Sequence, residues 1–230
     1  MEKFQPFDRA FLDDAGLNRQ AVFNIAELPT GITPSMEPGH SYRQLILIGH
    51  AGRRLWERVK QSGIDSENPI DDFTVQTVNR WFSSRQPKNN FRIVYPGSQA
   101  IGLQRLGQEA GWHSPSPFMV GIDPEWGSWY AYRAVVLADT GFEPTLPLTR
   151  EPPCRACDHQ VCIARCPGEA LEGGRFDLGK CIAYRRQAGS GCQATCLARV
   201  SCPVGSAHRY CDEQLHHTYS RSLRAIEKYC

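Results

Sequence analysis

CRACDHQVCIARCPGEAL, residues 154–171, carries four cysteines in thirteen positions and closes them with Cys166-Pro167. The crowding continues outward from there, because all ten cysteines of the 230-residue chain lie at or beyond position 154. An even set of this size could form a disulfide framework, but only in an oxidising compartment. The opening stretch, MEKFQPFDRAFLDDAG, has no apolar run behind a basic start, so no secretory signal is legible and a cytoplasmic location is expected. No apolar run approaches the roughly 20 residues needed to span a bilayer. The longest, LILIG at 45–49, has strand length, so no membrane partner is expected. Dense cysteine in such a chain points to metal.

The spacing narrows the metal. Cys154-x2-Cys157-x4-Cys162-x3-Cys166-Pro167 approaches the bacterial iron–sulfur run C-x2-C-x2-C-x3-C-P, with two residues inserted before the third thiol. Short spacers let one loop offer three sulfurs to a cubane from one side. In two-cluster proteins the cysteine before proline turns to the other cluster. Further thiols follow: Cys181 in KCIAY, then Cys192-x3-Cys196-x5-Cys202-Pro203. These eight thiols, two of them before proline, suffice for two 4Fe–4S clusters. Zinc is the alternative, since C-x2-C is half of a zinc ribbon, but it leaves the paired Cys-Pro endings unexplained. Cys211 and Cys230 read as ordinary thiols.

Charge agrees with this reading. Residues 154–230 hold 11 Lys+Arg against 7 Asp+Glu, while the preceding residues hold 15 against 17. A basic surplus beside thiolate clusters neutralises the chain's own cofactors. It is no nucleic-acid signature, because no dense Lys/Arg run occurs and the pI is about 8.0, so no nucleic-acid partner is expected.

The part before the cysteines is long enough for a core of its own. Strands are expected at Arg43–Gly49, Phe91–Tyr95, Phe118–Ile122 and Trp129–Ala138, all β-branched or aromatic in character. Helical patterns lie between them. Ala51, Leu55 and Val59 repeat at helical spacing, and Asn68-Pro69 opens a run through Phe73, Val78, Trp81 and Phe82. Ser98 is placed to cap a helix carrying Leu103, Leu106 and Ala110, stopped by Gly111. Elements in this order indicate a layered mixed domain. The proline-rich segment 140–153 reads as a linker, and no internal repeat stands out. Within 110–144, Gly127, Trp129, Tyr130 and Arg133 surround the start of a strand. Two readings stand: a glycine that lets backbone approach a flat ligand under tryptophan, or a glycine turn leading into an aromatic core strand.

That segment, followed by CRACDHQVCIARCP, KCIAY and GCQATCLARVSCP, resembles epoxyqueuosine reductases and the related reductive dehalogenases. Those are cobalamin-dependent enzymes with a nitroreductase-like domain and a two-cluster ferredoxin-like domain. Ser41 through Leu148 is also similar to the cobalamin-processing chaperone CblC, in YRQLILIGHAG, NPIDDFTVQTVNRWF and GIDPEWGSWYAYRAVVLADTGFEP. The resemblance implies an α+β fold: a nitroreductase-like (CblC-like) corrinoid-binding domain over 1–145, then a ferredoxin-like domain with two 4Fe–4S clusters over 146–230. It implies one cluster on Cys154, Cys157, Cys162 and Cys202, and the other on Cys166, Cys181, Cys192 and Cys196. It places Arg133 in the corrinoid site and the Gly127–Tyr130 loop, with Trp129, against the cofactor.

Departures from the reductases matter as much. Where they carry an acid in a V-D-x-x-P-like stretch, this chain reads FRIVYPGSQ, and where they carry G-K-N it reads AGWHSPSP. No helical tRNA-binding extension is expected after the last cysteines, and the D-x-H-x-x-G cobalamin motif is absent from the sequence. The expected function is therefore reductive processing of cobalamin, with removal of its upper ligand by electrons from the chain's own clusters and an unidentified low-potential donor behind them. His113 is the candidate catalytic group, as proton donor or cofactor contact; otherwise it is structural. The alternatives are a corrinoid-dependent reductase of an organic substrate and a ferredoxin-like electron carrier. Flavin is admitted by a nitroreductase-like fold, though no phosphate-cradling glycine loop accompanies it.

Overall fold

A computed structural model describes residues 4–32, 42–147 and 149–229. The chain divides into two compact units, one made of Met1–Gly111 with Tyr130–Leu148, the other of Trp112–Trp129 with Thr149–Cys230. Trp112–Trp129 thus groups with the cysteine-bearing part.

The first unit is built on an antiparallel sheet of order β1-β2-β4-β3. Its strands are β1 (Arg19–Asn24), β2 (Gln44–Ala51), β3 (Phe91–Tyr95) and β4 (Tyr130–Ala138). The apolar run of the sequence is β2, which is buried along its whole length between β1 and β4. Around the sheet lie α1 (Ala10–Asp14), α2 (Arg54–Ser62), α3 (Pro69–Arg85) and α4 (Leu103–Glu109). In α3, proline opens the first turn beside Asp71 and Asp72, which suit the positive end of the helix dipole. Its buried Ile70, Thr74, Thr77, Val78 and Trp81 form one stripe at helical spacing. Trp81 is fully buried, stacks on Phe7 at 4.9 Å and donates from Nε1 to the Asp8 carbonyl at 2.9 Å.

Three expectations fail here for local reasons. Ser98 does not cap α4, whose N-cap is Gly102 without a side-chain bond; Ser98 is five positions before Leu103, too early to reach its first turn. The linker begins later than 140, because Phe142 is 1% exposed against the core and Thr145 exchanges 2.9 Å hydrogen bonds with Val22. Phe118–Ile122 is not a strand: Met119 has φ of 61°, and only an isolated bridge between Ser114 and Ile122 survives.

Among the described residues the second unit has four α-helices, α5 (Val161–Ala164), α6 (Leu178–Arg186), α7 (Leu197–Val200) and α8 (Asp212–Tyr229), with two short 3-10 turns in the segments that join them. Asp177 caps α6 by accepting from the Lys180 amide at 2.9 Å. α5 and α7 pack together, as do α6 and α8. The first pair carries like sequences, Cys162-Ile-Ala-Arg165 and Cys196-Leu-Ala-Arg199, a short internal repeat hidden by unequal spacers to the following Cys-Pro. Among the described residues, one apolar group surrounds Phe118, Leu171 and Ala198 and includes Cys162, and another joins Trp129, Tyr210 and Leu215. Among the described residues no helix is long and apolar enough to cross a membrane.

Candidate functional site

The loops of the second unit gather eight thiols in two places. Cys154, Cys157, Cys162 and Cys202 line one small cavity with Phe118 and Val204. Cys166, Cys181, Cys192 and Cys196 line a second, of about 330 Å³, with Phe176 and Ile182. Electrostatics sort them the same way. Burial pushes the Cys154 thiol up to about 11, and Cys202, Cys162 and Cys157 add to the shift. Burial raises Cys181 too, followed by Cys196, Cys166 and Cys192, with Arg185 opposing. Cys196, the N-cap residue of α7, is raised by burial and drawn back by the Arg199 and Ala198 amides and the Arg199 charge. The nine described cysteines, Cys211 among them, are free thiols, and Cys230 lies outside the described residues.

Thiols gathered this way, with Cys162, Cys202 and Cys192 buried and Cys154 and Cys181 raised by burial and by their neighbours, suit a positive centre that neutralises them and drives off their protons. Among the described residues no three of His, Cys, Asp or Glu converge on a point that one metal ion would fill. Ligands of a cubane, one to each iron, stand further apart than four sharing a zinc at about 2.3 Å. Each set offers four thiols, the ligand type and number that a 4Fe–4S cluster takes.

Gly127 and Trp129 make contacts within the second unit. Gly127 has φ of 60°, and a Cβ there would meet the Val204 carbonyl oxygen at 2.0 Å. Its close approach is to the turn that follows Cys202-Pro203. The Asp123 carboxylate shapes the facing turn by accepting from the Glu125 and Trp126 amides at 2.9 Å. Trp129 is fully buried against Tyr210, with Arg199 4.6 Å above its ring. His113 is in the same unit, half-buried, and burial lowers its pKa toward the neutral imidazole.

Tyr130 and Arg133 belong to the first unit. Tyr130 is 5% exposed and meets Tyr132 edge-on at 5.9 Å. Burial is the main cause that pushes the Tyr132 phenol up to about 12, its hydroxyl lying tight against Gly107 of α4. Arg133 is the extra residue of a bulge in β4: Ile48 faces Ala134 and Gly49 faces Tyr132, leaving Arg133 without a register partner. Bulges re-aim side chains. This one turns Arg133 so that Nε donates to Nδ1 of the fully buried His50 at 3.0 Å, with NH1 4.0 Å from Asp71 at the start of α3. A second bulge in β3 precedes Tyr95, whose phenol is raised by burial, lowered by Arg133 and raised by Asp71. The Arg133 side chain is 16% exposed, and its NH2 makes no hydrogen bond among the described residues. His50 and Asp71 were missed by the sequence reading, since a bulge leaves no mark on hydrophobic pattern.

No protein-family model and no curated protein matches the sequence. The chain's mixed α/β fold is nevertheless one that solved reductases share. An epoxyqueuosine reductase from Bacillus subtilis superposes with a TM-score of 0.55 at 14% identity, over 88% of this chain and 66% of that one. A reductive dehalogenase described for B12-dependent dehalogenation gives 0.53 at 13% identity, over 92% of this chain and 33% of the other. The chain therefore spans about two thirds of the length of the first and a third of the second. The Caenorhabditis elegans B12-trafficking protein CblC reaches only 0.42 at 13% identity, over 90% and 89%.

Proposed function

We propose that this protein binds a corrinoid through its first unit, holds two 4Fe–4S clusters in a ferredoxin-like second unit, and reductively processes cobalamin so that its upper ligand is released. The observation that carries this reading is the gathering of eight thiols into two sets of four, each around its own cavity. The clusters, when bound, supply one-electron reduction at low potential. Cys154, Cys157, Cys162 and Cys202 hold one, and Cys166, Cys181, Cys192 and Cys196 the other. In the first unit the Arg133 fork retains donors suited to the amide and phosphate oxygens of a corrinoid. Tyr95 keeps its phenolic proton at neutral pH, because burial outweighs the opposing Arg133 charge. A low-potential donor refills the clusters from outside.

A second reading, a corrinoid-dependent reductase of an organic substrate, is supported by the likeness in fold to an epoxyqueuosine reductase and a reductive dehalogenase. The test begins with anaerobically purified protein. It is expected to hold about eight irons per chain, bleach with dithionite, and lose about half its iron in Cys202→Ser. Added cobalamin is then expected to shift its visible spectrum and turn over in excess with reductant alone. Stoichiometric zinc without iron refutes the cluster reading. Cobalamin that is bound once and reoxidised only by an organic acceptor favours the second reading.

A further inference from the structure

Arg185 and Arg199 are 7% and 6% exposed in the second unit. Buried guanidinium groups ordinarily pair with carboxylates. Here every partner is neutral. Arg199 donates from Nε to Ser128 Oγ at 3.2 Å, from NH1 to the Tyr219 hydroxyl at 3.4 Å, and from NH2 to the Ser128 carbonyl. Its planar face lies over Trp129 at 4.6 Å and Tyr210 at 5.2 Å. Arg185 donates to the Cys192 carbonyl at 3.1 Å, Ser222 Oγ at 3.1 Å and the Tyr219 carbonyl at 2.9 Å. Among the described residues no Asp or Glu forms an ion pair with either, so two positive charges are buried without a carboxylate.

Besides Tyr219 and Tyr210, which act on Arg199, the ionisable groups these arginines act on are thiols of one set. Arg185 borders the cavity of Cys166, Cys181, Cys192 and Cys196 and acts on Cys181 and Cys192. Arg199 follows Cys196 in α7 and acts on it. The repeat makes the asymmetry plain: Arg165, the match of Arg199 in the other half, stands exposed to water. At the first set, Arg209 acts on Cys202 from a half-buried position. Backbone amides serve both sets, reaching Cys162 and Cys202 in one and Cys192 and Cys196 in the other, so the arginines make the difference.

We infer that Arg185 and Arg199 raise the potential of the cluster on Cys166, Cys181, Cys192 and Cys196 above that of the other, so that an electron delivered to the protein rests there. This rests on the cluster reading above. Reduction adds one electron from an external donor, and one negative charge, to that cluster, and a buried positive charge stabilises the product. A unit charge on the order of 10 Å away, at an effective permittivity of about 20, changes such an equilibrium by more than tenfold. Each tenfold is about 59 mV for a one-electron couple.

The experiment is a redox titration of iron-loaded protein followed by electron paramagnetic resonance. Wild type is expected to reduce in two separated steps. Arg199→Gln should lower the upper step by at least about tenfold in equilibrium constant while leaving the lower step within about threefold; Arg199→Lys, which keeps the charge, should restore it. Arg185→Gln gives the same readout and decides the matter where Arg199→Gln fails to fold. Fully iron-loaded Gln variants that titrate like wild type overturn the inference alone, as does an equal shift of both steps. Wild-type protein without iron overturns it together with the cluster reading.

Discussion

Replacing Arg133 by alanine removes the donor bound by a histidine that has no exposure to water. Its Nε sits 3.0 Å from Nδ1 of His50, which is 0% exposed. An orphaned buried acceptor costs about 1–3 kcal/mol. The Asp71 contact adds little: at 4.0 Å, with Asp71 40% exposed, it is worth under about 1 kcal/mol. Arg133→Ala should therefore destabilise the first unit by about 2–3 kcal/mol, a fall on the order of 5–15 °C in its melting temperature. His50→Ala opens a cavity in the sheet and costs at least as much. The double variant should cost less than the sum by about 1–2 kcal/mol, because each single change strands the other partner. Calorimetry of the three variants closes this cycle, and additive costs would refute the pair as an energetic unit. The same proteins carry the corrinoid test. Below its melting temperature Arg133→Ala should bind cobalamin about tenfold to a hundredfold more weakly, the worth of one or two charged hydrogen bonds. His50→Ala, which keeps the guanidinium, should weaken binding less. Wild-type affinity in a destabilised Arg133→Ala protein would make the arginine purely structural and send the search for the pocket elsewhere.

Two further outcomes follow from the geometry. Gly127→Ala should lower the melting temperature of the second unit and its iron content together, since the added methyl collides with the Val204 carbonyl backbone at positive φ; full stability with loss of corrinoid binding alone would restore a ligand role for that turn. Burial holds the Tyr132 and Tyr219 phenols protonated to about 12, whereas unfolded tyrosine ionises near 10, so stability should be full below pH 10 and fall between pH 10 and 12 in urea melts; phenols that all titrate near pH 10 in the folded protein would contradict this.

The legible parts of the chain were those whose chemistry is local. The run LILIG had to be a strand buried on both faces, and β2 is one. Asn68-Pro69 with two early acids marks α3 because helix starts are set by nearby groups. What stayed hidden depended on contacts distant in sequence. β1 reads RQAVFN, with polar ends, and only its pairing along β2 makes it a strand. FMVGI at 118–122 is apolar because Phe118 packs on Cys162 and Leu171, and no strand is needed to explain it. Gly127 and Trp129 admit two readings because a glycine–aromatic turn has the same composition whether it covers a cofactor or its own chain. The thiol spacing was the most specific signal. It does not disclose which arginines are buried beside which thiols, since Arg165 and Arg199 follow identical Ala residues in like sequences.

The two units differ in what fills their interiors, and that difference bears on how each holds together. The first has Leu45, Ile46, Leu47, Ile48, Trp81 and Phe82 at 0% exposure, an apolar core that needs no ligand. In the second, two cavities are each lined by four cysteines, and the apolar groups beside them among the described residues are small. Small units with thin cores commonly draw stability from disulfides or metal. The thiols here are free, and Cys154 and Cys181 are raised by burial and by the thiols beside them, so without a positive centre the cavities gain little from them. Buried Arg185 and Arg199 sharpen the conflict, for an uncompensated charge in a weak core is a cost that only an anionic group nearby can offset. On the cluster reading both problems share one solution: irons bind the thiolates, and the net negative assembly answers the arginines. Folding of the second unit and assembly of its clusters then become a single equilibrium, while the first unit folds on its own apolar packing.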